Sequence, residues 1–155
     1  MSKGKKGEGR AAEAHALLQQ TLEEYEFTKP TRTNTPESGV DFMVYTTKKE
    51  LQHVANSSLQ RVEFEALPDG EVVLRQDHKQ SKHKISKATA KKFVDDIQSN
   101  KKVDGHLLTG GQGLTSGAAD EIQSARDSGH SVTYLSDADL TLIINVARDV
   151  IDNLV

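Results

Sequence analysis

The sequence has 155 residues and contains neither cysteine nor tryptophan. Without cysteine there is no disulfide framework, no zinc ribbon, no thiolate-bound cluster and no thiol nucleophile. Aromatic residues are scarce, three Tyr and four Phe, too few for a platform that stacks single-stranded bases. No apolar run approaches the roughly 18 residues of a membrane span, so no membrane partner is expected. The basic start, Met1 to Gly7, has no apolar stretch behind it and does not read as a secretory signal. These absences fit a cytoplasmic setting. A surplus of one charge is also missing. Lys plus Arg is 20 and Asp plus Glu is 23, a net charge of −3. That excludes a bulk polycation coating nucleic acid by charge alone, but not a local basic face.

The length suits one domain. Residues 1–9 are Lys/Gly-rich and read as a flexible basic tail; residues 10–155 read as a single domain. From about Arg10 the pattern is helical, with Leu17, Leu18, Leu22 and Tyr25 on one face. Pro30 and Pro36 punctuate a loop that ends at Gly39. Val40 to Thr46 is rich in β-formers. Residues 47–60 fit either a short helix around Leu51 and Val54 or a loop. Arg61 to Leu67 alternates like a half-buried strand, and Pro68-Asp69-Gly70 is a turn, so residues 61–79 predict a β-hairpin returning through Glu71 to His78. A helix over about 87–99, a short strand at Gly105 to Thr109, a helix over about 115–127 and a strand at Ser131 to Leu135 follow. Ser136 and Asp139 form a capping box for a last helix with a 3.6-period stripe through Leu140, Ile143, Ile144 and Ala147. The expected fold is therefore α/β: a mixed sheet of about five strands with helices on both faces, the last two strands parallel by the crossover rule.

Four residues stand out chemically. Asp41 opens a strand directly after a glycine turn. Asp77 and Lys79 lie two apart on a strand, so their side chains share one sheet face. Glu13 sits in the first turn of the first helix. Two carboxylates beside one amine form a common phosphodiesterase apparatus. Carboxylates hold Mg²⁺, which keeps several waters and binds the substrate phosphate, and the amine offsets transition-state charge. The blander account is that Asp77 is an exposed carboxylate paired with Arg75 or Lys79, contributing at most about 1 kcal/mol, and that Asp41 bonds its own turn.

The order of these motifs resembles the PD-(D/E)xK nuclease superfamily, in particular the Mrr-type restriction endonuclease domain. The resemblance spans about residues 9–146. Gly9-Arg10-Ala11-Ala12-Glu13 is similar to the start of the family's first helix, Gly39-Val40-Asp41 to its Gly-x-Asp strand and Asp77-His78-Lys79 to its (Glu/Gln/Asp)-x-Lys strand. Ile85-Ser86, Leu107-Leu108-Thr109 and Val132 to Ser136 resemble the steps that follow. Departures are Asp77 where Glu or Gln is commoner, polar Arg75 and Gln76 before it, a competing Gln80-Ser81-Lys82, and a long interval after Asp41. The resemblance implies a restriction-endonuclease-like fold hydrolysing DNA with Mg²⁺ or Mn²⁺. Asp41 and Asp77 would hold the metal, Glu13 would assist as an outer or second-metal carboxylate, and Lys79 would serve the nucleophilic water. A homodimer would suit double-strand cleavage.

A basic segment adjoins this strand. Arg75, Lys79, Lys82, Lys84, Lys87, Lys91 and Lys92 are opposed within it only by Asp77. Lys82, Lys84, Lys87 and Lys91 are the candidate phosphate contacts; a solvated loop and helix face is the bland account. Two other functions compete. One is a DNA-binding or assembly subunit that keeps the nuclease fold without the chemistry. The other is a small nucleotide-binding α/β domain using Gly110-Gly111-Gln112-Gly113 as a phosphate cradle. That loop matches neither the dinucleotide fingerprint nor a P-loop, and a tight turn with Thr115 or Ser116 capping the next helix accounts for it better. The six histidines show no metal-ligand spacing on a predicted helix, and His15 is expected on an exposed turn.

Overall fold

The computed structural model describes residues 9–30, 40–59 and 64–153. The tail over residues 1–8, the Pro36–Gly39 loop and Arg61 to Glu63 lie outside them. In chain order the elements are α1 (Gly9–Thr21), β1 (Glu26–Thr28), β2 (Phe42–Thr47), α2 (Lys48–Ser58), β3 (Glu71–Lys79), α3 (Lys87–Asp95), a 3₁₀ turn (Asp96–Ser99), β4 (Gly105–Gly110), α4 (Ser116–Asp127), β5 (Val132–Leu135) and α5 (Asp137–Asn153).

The expected mixed α/β sheet is present, five strands in the order β1-β2-β3-β4-β5. β2 pairs antiparallel with both β1 and β3; β3, β4 and β5 run parallel. Sequential neighbours thus pair throughout, and each parallel step crosses over through a helix. Side chains that accept backbone N–H groups start three of the helices: Thr47 bonds Glu50 N, Ser86 bonds Thr89 N and Thr115 bonds Ala118 N. The capping box of α5 forms reciprocally, Ser136 N to Asp139 Oδ2 at 2.9 Å and Asp139 N to Ser136 Oγ at 3.2 Å. Among the described residues no helix is long and apolar enough to cross a membrane.

Alternation along each strand divides the core. On one face Phe42 packs with Ala11 and Ala14 of α1 and with Leu140, Ile143 and Ile144 of α5. Val44, Val72 and Leu74 meet Ala55 of α2 on the same face. On the other, Leu108 packs with Phe93 of α3 and with Ala118 and Ile122 of α4. Each fully buried large apolar side chain adds about 1.5–3 kcal/mol. Coverage of the second face is uneven: opposite the packed side of β2, Tyr45 stays 40% exposed.

Several expectations are corrected. Residues 64–67 form a turn closed by Leu67 N to Phe64 O at 3.1 Å, and β3 pairs with β2 rather than with a strand just before it. The alternation of Arg61 to Leu67 therefore does not mark the expected hairpin. Among the described residues of this stretch, Phe64 and Leu67 drop into the core under α2 while Glu65 and Ala66 stay exposed, a spacing of three rather than two. Residues 48–58 are helical. Tyr25 lies beyond the end of α1, and the three-residue edge strand β1 was not anticipated. His15 is buried, not exposed on a turn.

Candidate functional site

Strand β3 lies in the centre of the sheet and displays different chemistry on its two faces. Arg75, Asp77 and Lys79 project toward the α3/α4 side; Gln76 and His78 project toward α1 and α5. The register confirms the split. Arg75 stands beside His106, while Gln76 stands beside Leu107, which packs against the α1/α5 core.

On the first face the structure gathers three of the four predicted residues. The regular ladder of β2 begins at Phe42, opposite Gln76. Asp41 extends it by one unusual step: its N–H donates to Gln76 O at 2.8 Å, and its Oδ2 accepts the N–H of His78 at 2.7 Å. This carboxylate stands in for a ladder partner and is held beside Asp77. Its pKa is raised, by burial first and then by the adjacent Asp77 carboxylate, against the lowering effects of the His78 N–H and Lys79. Lys79 Nζ lies 3.2 Å from Asp77 Oδ2. Asp77 itself is buried, with 7% of its side chain exposed against 37% for Lys79. Access from solvent therefore runs past Lys79 and the half-buried Asp41.

Glu13 is not brought to this group. It pairs with Arg148 of α5 and lines a depression together with His78, whose side chain leaves β3 on the face opposite Asp77. Nor is it among the charges that shift Asp41. Among the described residues no three His, Asp or Glu side chains are grouped to hold a metal ion, so the three-carboxylate arrangement is reduced to two.

The basic segment is also thinner than its sequence. Arg75 is fully buried. Its guanidinium donates to His106 Nδ1 at 2.7 Å and to Phe93 O at 2.6 Å, and stacks on the Phe93 ring at 4.2 Å. Burial lowers its pKa to about 10 against the pull of Asp77 and Asp96. Lys91 is exposed but bonded to Asp95 at 3.0 Å, whose carboxylate raises its pKa, and Lys92 lies 3.5 Å from Asp96. Lys82, Lys84 and Lys87 remain exposed, with no acidic partner among the described residues.

The glycine loop is a clamp. Tyr134 Oη donates to Gly110 O at 2.6 Å and accepts from Gly113 N at 3.0 Å. Gln112 N bonds His83 O at 3.0 Å and Thr115 N bonds Ile85 O at 3.1 Å. Gly110 has φ +107°, and an added Cβ would lie 1.9 Å from Lys79 O; only glycine fits so close to the end of β3. The amides of Gln112, Gly113 and Thr115 are thus committed inside the chain rather than turned to a ligand. The loop fixes the segment that carries Lys82 and Lys84.

Sequence reasoning missed a polar relay on the opposite face. Tyr25 Oη lies 2.7 Å from His15 Nδ1, and His15 Nε2 bonds Gln76 Oε1. Gln76 Nε2 donates to Thr109 Oγ1 at 2.9 Å, which lies 2.8 Å from His78 Nδ1. With the amide so placed, His15 donates from Nε2, and in the neutral ring that burial favours Nδ1 accepts the Tyr25 hydroxyl. Burial holds its pKa down to about 4 and pushes that of Tyr25 up. Period 2 alone puts Gln76 and His78 on one face, but nothing in the sequence marks that face as buried.

No protein-family model matches this sequence, and no curated protein is significantly similar to it.

Proposed function

We propose that the protein is a metal-dependent nuclease that hydrolyses DNA phosphodiester bonds. The observation that carries this reading is the Asp41–Asp77–Lys79 group. Two carboxylates are held side by side at the end of the β2–β3 ladder, and an ammonium lies 3.2 Å from one of them. Two carboxylates held this close, with the Asp41 pKa raised by burial and by its neighbour, suit a cation. Mg²⁺ is commonly held by one or two protein carboxylates, with water and substrate phosphate completing its shell, so Asp41 and Asp77 fit Mg²⁺ or Mn²⁺ without a third acid. Held by Asp41 and Asp77, such an ion would supply an acidified water and positive charge near the scissile phosphate.

The chain's own residues supply the rest. The His78 N–H and Gln76 carbonyl fix Asp41 from two sides, so its carboxylate needs no rearrangement on binding. Lys79, tethered to Asp77, presents a positive charge at the half-exposed rim, where it meets a phosphate oxygen and stabilises the charge that develops there. Lys82, Lys84 and Lys87 continue this positive surface along the clamped loop into α3 and track the DNA backbone. A double-strand cut would take two copies of the chain.

The test is plasmid and linear duplex DNA incubated with Mg²⁺, Mn²⁺ or EDTA. Cleavage requires metal and falls by on the order of a hundredfold or more in Lys79→Ala and Asp77→Asn, while gel-shift affinity for duplex DNA stays within about threefold. A second reading is favoured by the burial of Asp77 and its ion pair with Lys79: a DNA-binding or assembly subunit in which these residues brace the strand. On that reading duplex binding is retained and no metal dependence is seen in any protein.

A further inference from the structure

The carboxyl ends of the three parallel strands converge on a second place, which shares only the Lys82 side chain with the reading above. Gln80 to Lys82 follow β3, Gln112 follows β4 and Asp137 follows β5. With Arg10 and Glu13 of α1 they surround a polar depression of about 580 Å³ whose wall includes His78. In open α/β sheets, ligands favour the crevice beyond the carboxyl ends of the strands, and the volume lies within the range of small-molecule sites.

We infer that this depression binds a nucleoside monophosphate, free or as the 5′-phosphorylated end of a nucleic acid chain, with its phosphate on Lys82. The charges decide the ligand. Glu13 is neutralised by Arg148. Asp137 lies 3.9 Å from Arg10 and accepts the Gln112 amide at 3.2 Å. Lys82 has no such acidic partner among the described residues, so the uncompensated charge of the depression is positive. Its carrier loop is held in place, by Gln112 N to His83 O at 3.0 Å and Ile85 N to Gly113 O at 2.8 Å. A lysine on a fixed loop pays less ordering entropy on binding than one on a mobile chain. His78, 8% exposed and bonded through Nδ1 to Thr109, gives the wall a fixed polar ring. The side-chain amides of Gln80 and Gln112 match the hydroxyls and base edges of a nucleotide better than an apolar ligand.

The choice of a nucleotide rests on the nuclease reading; the position of the site does not. The test is an amide NMR titration without divalent metal, using a deoxynucleoside 5′-monophosphate, the matching deoxynucleoside, and a short oligonucleotide with either a 5′-phosphate or a 5′-hydroxyl. The monophosphate shifts the amides of Ser81, Lys82 and Gln112, the deoxynucleoside does not, and Lys82→Glu weakens binding at least tenfold. Lys101→Glu, at the opposite end of the parallel strands, leaves it unchanged. A preference for the 5′-phosphorylated oligonucleotide over the monophosphate assigns the site to chain ends, and the reverse assigns it to free nucleotides. Shifts of equal size with the deoxynucleoside, or unaltered binding by Lys82→Glu, overturn the inference. Binding without metal-dependent cleavage sinks the nuclease reading and leaves the site; cleavage without phosphate-dependent shifts sinks only the site.

Discussion

Mild acid should weaken this fold well before its ordinary carboxylates protonate. His15 is 4% exposed, bonded to Tyr25 and Gln76 and stacked 5.1 Å from Phe27. A proton on it has no counter-charge, and burial lowers its pKa from 6.5 to about 4. His106 is 5% exposed, and its Nδ1 accepts from Arg75. Protonation would turn that acceptor into a donor facing a guanidinium, and its pKa falls to about 3, through burial first and Arg75 second. The sign follows from linkage. Below pH 6.5 the unfolded chain takes up protons that the folded chain refuses, so stability is lost as pH falls from 6.5 toward the folded values. Nothing is lost above about pH 7. Each histidine costs about 1.4 kcal/mol per pH unit in that window, so at pH 5 the two together cost about 4 kcal/mol. That is a large share of the roughly 5–15 kcal/mol typical of a domain. Asp41 works the other way, because its pKa is raised on folding; Asp41→Asn removes this partial offset and steepens the loss. Urea unfolding followed by circular dichroism at pH 7.5 and pH 5.0 measures the effect, and His106→Asn, which retains an acceptor, should recover about half of it. Equal unfolding free energies at the two pH values, or NMR titration of both rings near 6.5, would refute the reasoning.

Three further outcomes follow from the geometry. Gln76→Leu leaves the His15 and Thr109 polar atoms without their shared amide and should cost about 2–6 kcal/mol in urea unfolding, at about 1–3 kcal/mol per orphaned group; a loss under about 1 kcal/mol would mean the relay is not formed. Gly110→Ala, forced against Lys79 O at positive φ, should destabilise by about 3 kcal/mol or more, read as a lower thermal midpoint. Tyr134→Phe removes both bonds to the glycine loop for about 1–2 kcal/mol. It should speed amide exchange at Gly113 with little change in β5, and unchanged exchange would show that the clamp lies elsewhere.

The sequence made legible the helices with clear caps, the parallel β4–β5 step and the mixed α/β class, because capping, 3.6-residue periodicity and crossover handedness are local or nearly local rules. It also placed Asp77 and Lys79 together, since two residues on a strand share a face at period 2. It misread residues 61–67, whose apolar alternation is not followed by burial, since Phe64 and Leu67 enter the core under α2 while Glu65 and Ala66 stay exposed, and it missed β1, whose three residues are held by pairing with β2 and by Phe27 stacking on His15. Whether Arg75 served a surface or the interior was also beyond it, because a buried guanidinium needs Phe93, His106 and Asp96 from three later segments. Tertiary structure alone decided that Asp41 meets Asp77 through the end of the β2–β3 ladder, while Glu13 falls on the other face of β3 beside His78. Chain spacing records the order in which carboxylates arrive. Which side of a sheet each one reaches depends on how the helices pack against it.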